Sequence, residues 1–291
     1  MEKINAIITG IGGYVPDYIL TNQELSRMVD TTDEWIQTRV GIKERRILTE
    51  EGLGTSYMAR KAASQLLEKT GADPDSIDAL IVATTTPDYK FPSTASIVVG
   101  RLGMHNAFAM DTAAACSGFL YTLDLACSMI ESGRYKRIIV IGADKMSSMV
   151  DYTDRNTCVL FGDGAGAAIF ERCDAPFAIT LGARGDEAIH AGGPCRTGSA
   201  PISMDGRAVF RFAVDALPRC LHKVLEETQL TLDEVDWVVC HQANSRIIDH
   251  CVKALHADAA KFYKNMDRHG NTSAASIPVA LNELAENGQL Q

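Results

Sequence analysis

Laid on itself, the chain matches at one fixed offset. The segment PDSIDALIV, from Pro74, lies against LDEVDWVVC, from Leu232, with acidic positions opposite acidic positions and a strand-like run opposite a strand-like run, 158 residues apart (232 − 74). The same offset carries Ala113 to Asn271, so AAACSG falls on NTSAAS without a gap. Two matches at one offset restrict the fold to two related halves, each with a strand, a turn of small residues and a helix at equivalent places. The two turns are then expected to face each other across a pseudo-twofold axis. A chance match of short apolar segments is the plainer alternative, and the common offset argues against it.

Between those segments, apolar runs rich in β-formers alternate with helical patterns. NAIITGIG, DALIVATTT, AFAMDT, RIIVIGAD, VLFGDGAGAAIF, FAITLGA and DWVVCHQ read as strands; residues 55–67 and 208–225 carry apolar positions at three- and four-residue spacing and read as helices. That order predicts an α/β fold of sheets covered by helices, divided into halves at 1–172 and 173–291. In the first half, the helix after Cys116 is followed by strands near 138 and 159, whose partners belong near 296 and 317, 158 further on; the sequence stops at Gln291. The duplication therefore predicts a second half without its final pair of strands and with apolar surface uncovered, in a chain trimmed at its C-terminus or one that has lost its tail.

A net charge of −9 and a pI near 5.3 argue against a nucleic-acid binder, and an acidic partner would need a local basic patch. The N-terminus has no basic leader followed by an apolar run, and no stretch approaches a membrane span, so a cytoplasmic protein is expected. Cys116, Cys127, Cys158, Cys173, Cys195, Cys220, Cys240 and Cys251 form no CxxC pair, which argues against a zinc knuckle or thioredoxin motif. Most of them read as small buried hydrophobes.

Cys116 differs from the others in its surroundings, MDTAAACSGF. The run AFAMD reads as a buried strand, and SGFLYTLDLACSMIESG as a helix with Phe119, Leu123, Ala126 and Ile130 on one face and Gly133 as its stop. Cys116 then sits at a strand-to-helix turn, where free N–H groups and the helix dipole favour the nucleophilic thiolate. From position alone, a structural cysteine filling a small gap stands equally open. His241 follows DWVVC at the carboxyl end of a predicted strand, and Asn271 opens the turn equivalent to that of Cys116. A satisfied structural histidine and a helix cap are the plainer readings of these two. Together the three place a thiol, an imidazole and an amide at strand ends about one pseudo-axis. TGIGGY and FGDGAGAA complete neither GxGxxG nor a P-loop, and the second reads as a structural turn.

The motifs DTAAACSGF, HQAN, RHGNTSAASIP, FGDGAGAA and DTTDEWIQTRVGIKERR, in that family's order along nearly the whole chain, resemble β-ketoacyl-acyl-carrier-protein synthase III, the initiating condensing enzymes of bacterial fatty-acid synthesis. The resemblance implies a thiolase-like fold of two duplicated halves and a decarboxylative condensation of an acyl-CoA primer with a malonyl-acyl-carrier protein. By motif it implies Cys116 as the acylated nucleophile, with His241 and Asn271 binding the thioester carbonyl. Trp35, Arg39 and Arg155 then hold the adenine and phosphates of CoA, Gly206 and Asn244 line the pantetheine tunnel, and Phe91 reaches into the acyl pocket of the neighbouring subunit of a homodimer. No metal or organic cofactor is implied; CoA arrives as a substrate thioester. The family's C-terminal tail carries a glycine-rich loop that joins Cys116 in an oxyanion hole. Arg246 and Lys253, seven apart on one face of a predicted helix, are candidates for the patch that meets an acidic carrier protein, against a solvated helix face.

Papain-like proteases also use Cys, His and Asn, but their local signature around the cysteine is missing. A non-catalytic acyl-binding module would be marked by loss of the nucleophile, which is present. Polyketide and 3-hydroxy-3-methylglutaryl-CoA synthases remain relatives of the same fold.

Overall fold

The computed structural model describes residues 5–173, 177–192 and 200–290; Cys195 lies outside the described residues. Strands β1 (Asn5–Tyr14), β2 (Tyr18–Thr21), β3 (Glu44–Ile47), β4 (Ala79–Ala83), β5 (Phe108–Thr112), β6 (Arg137–Lys145), β7 (Asp163–Cys173), β8 (Ile189–His190) and β9 (Ser203–Met204) follow one another along the chain. Five of them make one sheet in the order β1-β7-β6-β4-β5. The strands β6, β4 and β5 run parallel, while β7 is antiparallel to both β1 and β6. Parallel strands need helices on both faces, which is why β4 reads as an unbroken apolar run and is buried along its whole length.

The helices are α1 (Asn22–Leu25), α2 (Asp33–Val40), α3 (Thr55–Thr70), α4 (Thr94–Leu102), α5 (Gly118–Glu131), α6 (Arg155–Cys158), α7 (Gly206–Thr228), α8 (Ser245–Ala254), α9 (Met266–His269) and α10 (Ser276–Glu286). Alternation along β6 divides the core. Ile139 and Ile141 meet Met58, Ala62 and Leu66 of α3 on one face, whereas Ile138 and Val140 meet Phe119, Ala126 and Ile130 of α5 on the other. Ile277 of α10 joins that second cluster, so the two helices that follow the matched turns lie on the same face of the sheet. Among the described residues, no helix is long and apolar enough to cross a membrane.

The duplication is visible in the backbone. A 3₁₀ turn at Ala115–Ser117 leads into α5 and another at Ser273–Ala275 leads into α10, each pair of starts 158 apart. Their first residues, Ala115 and Ser273, both take the left-handed conformation, at φ 46° and 52°. Helix α3 ends at Thr70 and α7 at Thr228, each stopped by a left-handed residue, Gly71 and Gln229.

Two expected strands are not strands. Residues 177–183 form no regular element, and within 236–242 only Val238 makes a bridge, to Phe262. Among the described residues, the backbone of the second segment pairs only with the 261–263 stretch, and two hydrogen bonds through Val238 do not extend into a ladder. At 266–270, where the offset places the counterpart of β5, the chain instead turns through α9. Among the described residues, the second half contributes only the two-residue pair β8–β9.

Candidate active site

Strand β5 delivers the chain to the turn that carries Cys116. Cys116 is half-buried, with Ala115 and Ser117 exposed on either side. Gly118 opens α5 close against both halves: a Cβ there would lie 3.0 Å from that of Ala83, a tight contact, and 3.6 Å from that of Ala274, an ordinary one. Burial pushes the Cys116 thiol up to about 11, opposed by its hydrogen bond to Ser273 and reinforced by the nearby Asp144 carboxylate.

The facing turn is clamped along its length. The Asn271 N–H donates to the Leu160 carbonyl at 2.8 Å and the Gly162 N–H donates to the Asn271 carbonyl at 3.0 Å, so FGDGAGAA holds this turn in place rather than a phosphate. A Cβ on Gly142 would lie 2.1 Å from the Ala274 carbonyl oxygen, so β6 can approach the turn this closely only with glycine. Asn271 Oδ1 accepts the Ser273 N–H at 2.9 Å, which fixes the carboxamide and leaves its Nδ2 hydrogens to donate elsewhere.

His241 joins the same turn two residues beyond Ala274. Its Nδ1 lies 2.6 Å from Ser276 Oγ, which also accepts the Gln242 N–H at 3.4 Å. With the Ser276 hydroxyl donating to Nδ1, the ring proton sits on Nε2. Burial pushes His241 down to about 4, so the imidazole is neutral near pH 7. One six-residue turn, 271–276, thus carries Asn271, touches the sulfur of Cys116 through Ser273 Oγ at 3.8 Å, and orients His241 through Ser276.

A second cluster gathers at α2. The Arg155 guanidinium stands 4.9 Å from the Trp35 ring centroid and that of Arg39 5.9 Å, giving an aromatic face flanked by two cations. Asn244 caps α8 and donates from Nδ2 to the Arg39 carbonyl at 3.3 Å, which ties the HQAN segment to α2. Gly206 is exposed at the first position of α7, and Arg246 of α8 lies 5.4 Å over the ring of Phe210 on α7. Lys253 is exposed in the last turn of α8. Phe91 stands apart from these groups, 85% exposed beside exposed Tyr89 in the loop after β4.

The family model for 3-oxoacyl-[acyl-carrier-protein] synthase III matches residues 110–185, and that for its C-terminal region matches residues 225–291. The chain is 54% identical over 296 residues to β-ketoacyl-[acyl-carrier-protein] synthase III of Phocaeicola vulgatus, covering 97% of this chain and 89% of that protein. A synthase III of Bacteroides thetaiotaomicron is 53% identical, with 97% and 88% covered. The crystal structure of the Aquifex aeolicus VF5 enzyme superposes with a TM-score of 0.92 at 44% identity, over 98% of this chain and 92% of that one. The chain belongs to the β-ketoacyl-acyl-carrier-protein synthase III family. It has the thiolase-like fold and is a condensing acyltransferase.

Several residues at this site carry no signal of their own in the sequence. Ser273 and Ser276 lie inside the run NTSAAS, where Ser273 falls opposite Ala115 in the duplication and so marks a difference between the two turns. Asp144, next to last in β6, is wholly buried and accepts from Thr84 Oγ1 at 3.0 Å, Thr85 N–H at 2.8 Å, Thr86 Oγ1 at 3.0 Å and Ala274 N–H at 3.2 Å. The signal was the run of three threonines ending DALIVATTT, too polar for a buried strand end without a common acceptor. Among the described residues no group of three or more His, Cys, Asp or Glu side chains is placed to hold a metal ion.

Proposed function

We propose that Cys116 is the acyl carrier of a decarboxylative condensation that joins an acyl-CoA primer to a malonyl-acyl-carrier protein, giving a 3-oxoacyl-acyl-carrier protein. Its thiolate attacks the primer carbonyl and CoA leaves as the thiol. Loss of CO₂ from the malonyl thioester then builds negative charge on the thioester oxygen. The Nε2–H of neutral His241 and the Nδ2–H of Asn271 are the donors for that oxygen. The resulting carbanion equivalent attacks the acyl carbon and expels the Cys116 sulfur. No metal or organic cofactor enters the scheme, and CoA is a substrate.

The observation that carries this reading is the single turn 271–276, which touches Cys116 at one end and orients His241 at the other while fixing the amide of Asn271. Trp35, Arg39 and Arg155 are assigned to the nucleotide end of CoA, Gly206 and Asn244 to the pantetheine arm, and Arg246 and Lys253 to the carrier protein. Division into halves at 1–172 and 173–291 follows the backbone recurrence. Exposed Phe91 near the edge strand β5 supports a homodimer in which that ring enters the partner's acyl pocket. A cytoplasmic location, away from nucleic acid and membrane, suits the acidic charge and the substrates. Incubation with radiolabelled acetyl-CoA followed by peptide mass mapping tests the reading: label on Cys116 and its chase into a 3-oxoacyl product with malonyl-acyl-carrier protein are expected, and label on Cys240 or Cys251 removes the assignment.

A further inference from the structure

Strand β6 meets the turn 271–276 at two points on one face of the strand. At the first, Gly142 makes room for the Ala274 carbonyl; at the second, two residues on, Asp144 Oδ2 accepts the Ala274 N–H at 3.2 Å. Asp144 Oδ1 serves the chain that leaves β4, accepting from Thr84 Oγ1 and Thr86 Oγ1 at 3.0 Å, Thr85 N–H at 2.8 Å and Thr85 Oγ1 at 3.2 Å. The side chain is wholly buried, and Lys145 beside it sends its ammonium to the Leu53 carbonyl instead. One carboxylate thus joins the end of β4 to the turn that carries Asn271.

That joint fixes a stretch of backbone that would not hold its shape alone. Ser273 takes φ 52°, a left-handed conformation that is costly for a residue with a side chain and persists only where neighbours enforce it. The Ser273 N–H donates to Asn271 Oδ1 at 2.9 Å, and the next N–H along, that of Ala274, donates to Asp144. The Asn271 carboxamide is therefore aimed by the Ser273 backbone, and the Ser273 backbone is anchored by Asp144. Both carboxylate oxygens are needed. A backbone N–H can only donate, and Oδ1 meets that of Thr85 while Oδ2 meets that of Ala274. A carboxamide at position 144 would turn its NH₂ on one of them whichever way it lay.

We infer that Asp144 is a positioning residue for decarboxylation, holding the Ser273–Ala274 backbone so that the Asn271 amide meets the thioester oxygen of the malonyl substrate; the inference rests on the donor role proposed for Asn271. Asp144 acts through the turn and takes no part in the proton or bond changes. Acylation of Cys116 does not call on it. Burial raises the Cys116 thiol first and the Asp144 charge raises it further, so a neutral side chain at 144 removes a hindrance to the thiolate. Loss of the carboxylate should therefore separate the two half-reactions, slowing the second and not the first.

The test compares Asp144→Asn, Thr84→Val and Thr84→Ser. Acetylation of Cys116 by acetyl-CoA is followed by intact-protein mass spectrometry for its rate and its stoichiometry, and CO₂ release from malonyl-acyl-carrier protein is expressed per acetylated chain. Asp144→Asn should acetylate no more slowly than the unmodified enzyme and to nearly full stoichiometry, while CO₂ release per acetylated chain falls about 10²-fold, the loss that a misplacement of about 1 Å brings. Thr84→Val removes one hydroxyl from Oδ1 and should lower the same step about fivefold, and Thr84→Ser, which keeps the hydroxyl, should restore it. A role confined to folding would lower the stoichiometry and leave CO₂ release per acetylated chain unchanged; that result, or equal losses in both half-reactions, overturns the inference. Should Asp144→Asn fail to fold, the threonine pair decides, and equal CO₂ release from Thr84→Val and Thr84→Ser overturns it. Undiminished CO₂ release from Asn271→Ala would instead remove the donor role of Asn271 itself.

Discussion

The turns before α5 and α10 share a backbone and differ in almost everything else. Each is a 3₁₀ turn opened by a left-handed residue and followed at once by a helix. Around Cys116, Ala113, Ala115 and Ser117 are exposed; from Asn271 to Ser276 every residue is buried, pinned by Leu160, Gly162 and Asp144. A duplicated unit has thus been specialised by packing. On the proposed mechanism, the open copy lets a reagent reach the Cys116 sulfur, and the clamped copy holds the Asn271 amide still and braces His241 through Ser276. Rigid donors matter most where charge appears only in the transition state, which is why the proposed mechanism assigns the clamped turn to the decarboxylation.

The comparison breaks most completely at Cys116→Ala. No covalent label from acetyl-CoA should remain by intact-protein mass spectrometry, because Ala274 stands at the equivalent position of the other turn and offers no second nucleophile. A smaller effect should follow from loosening the clamp alone. Glu283 of α10 lies 2.7 Å from His269 Nε2 and accepts from Asn265 Nδ2 at 2.8 Å and Arg268 Nη1 at 3.0 Å, bracing the two ends of the segment that contains Asn271. Burial works to raise its carboxyl, but these partners outweigh it and hold it down to about 2. Glu283→Gln should therefore cost on the order of 3 kcal/mol in denaturant unfolding near neutral pH. Because the folded-state value is depressed, that stability is complete above the usual glutamate range and is lost as pH falls toward 2; the variant should lack this acid limb.

Changes on the approach side should be smaller still. Arg155→Ala removes the closer cation from the Trp35 face and should raise KM for acyl-CoA by roughly tenfold with kcat little changed. Charge reversal at Arg246 should raise KM for the malonyl-acyl-carrier protein about threefold and leave that for acyl-CoA unaltered, in steady-state assays of each substrate. Equal effects on both substrates would detach α8 from carrier-protein docking.

Much of this contrast was legible in the sequence, because backbone recurrence follows from local patterns. The offset of 158 locates both turns and both helices in the sequence; the left-handed stops at Gly71 and Gln229, which obey the same offset, emerge only in the structure. Strands β1, β4, β5, β6 and β7 followed from apolar runs, whereas FAITLGA and DWVVC did not become strands, since a run of β-formers specifies a strand only when a neighbour pairs along its length. Trp35, Arg39 and Arg155 assemble as the motifs implied, yet Asp144 did not show itself as part of the site. Its role depends on Ala274 lying against β6, a contact across 130 residues that no local pattern encodes.

The division of labour between the two turns is tested most directly by Asn271→Ala, with acetylation of Cys116 and CO₂ release from malonyl-acyl-carrier protein measured separately on the same preparation. The account predicts that acetylation stays within about threefold of the unmodified enzyme while CO₂ release falls about 10²- to 10³-fold, the usual loss for one oxyanion donor. Equal losses in the two half-reactions, or a loss confined to acetylation, would contradict it.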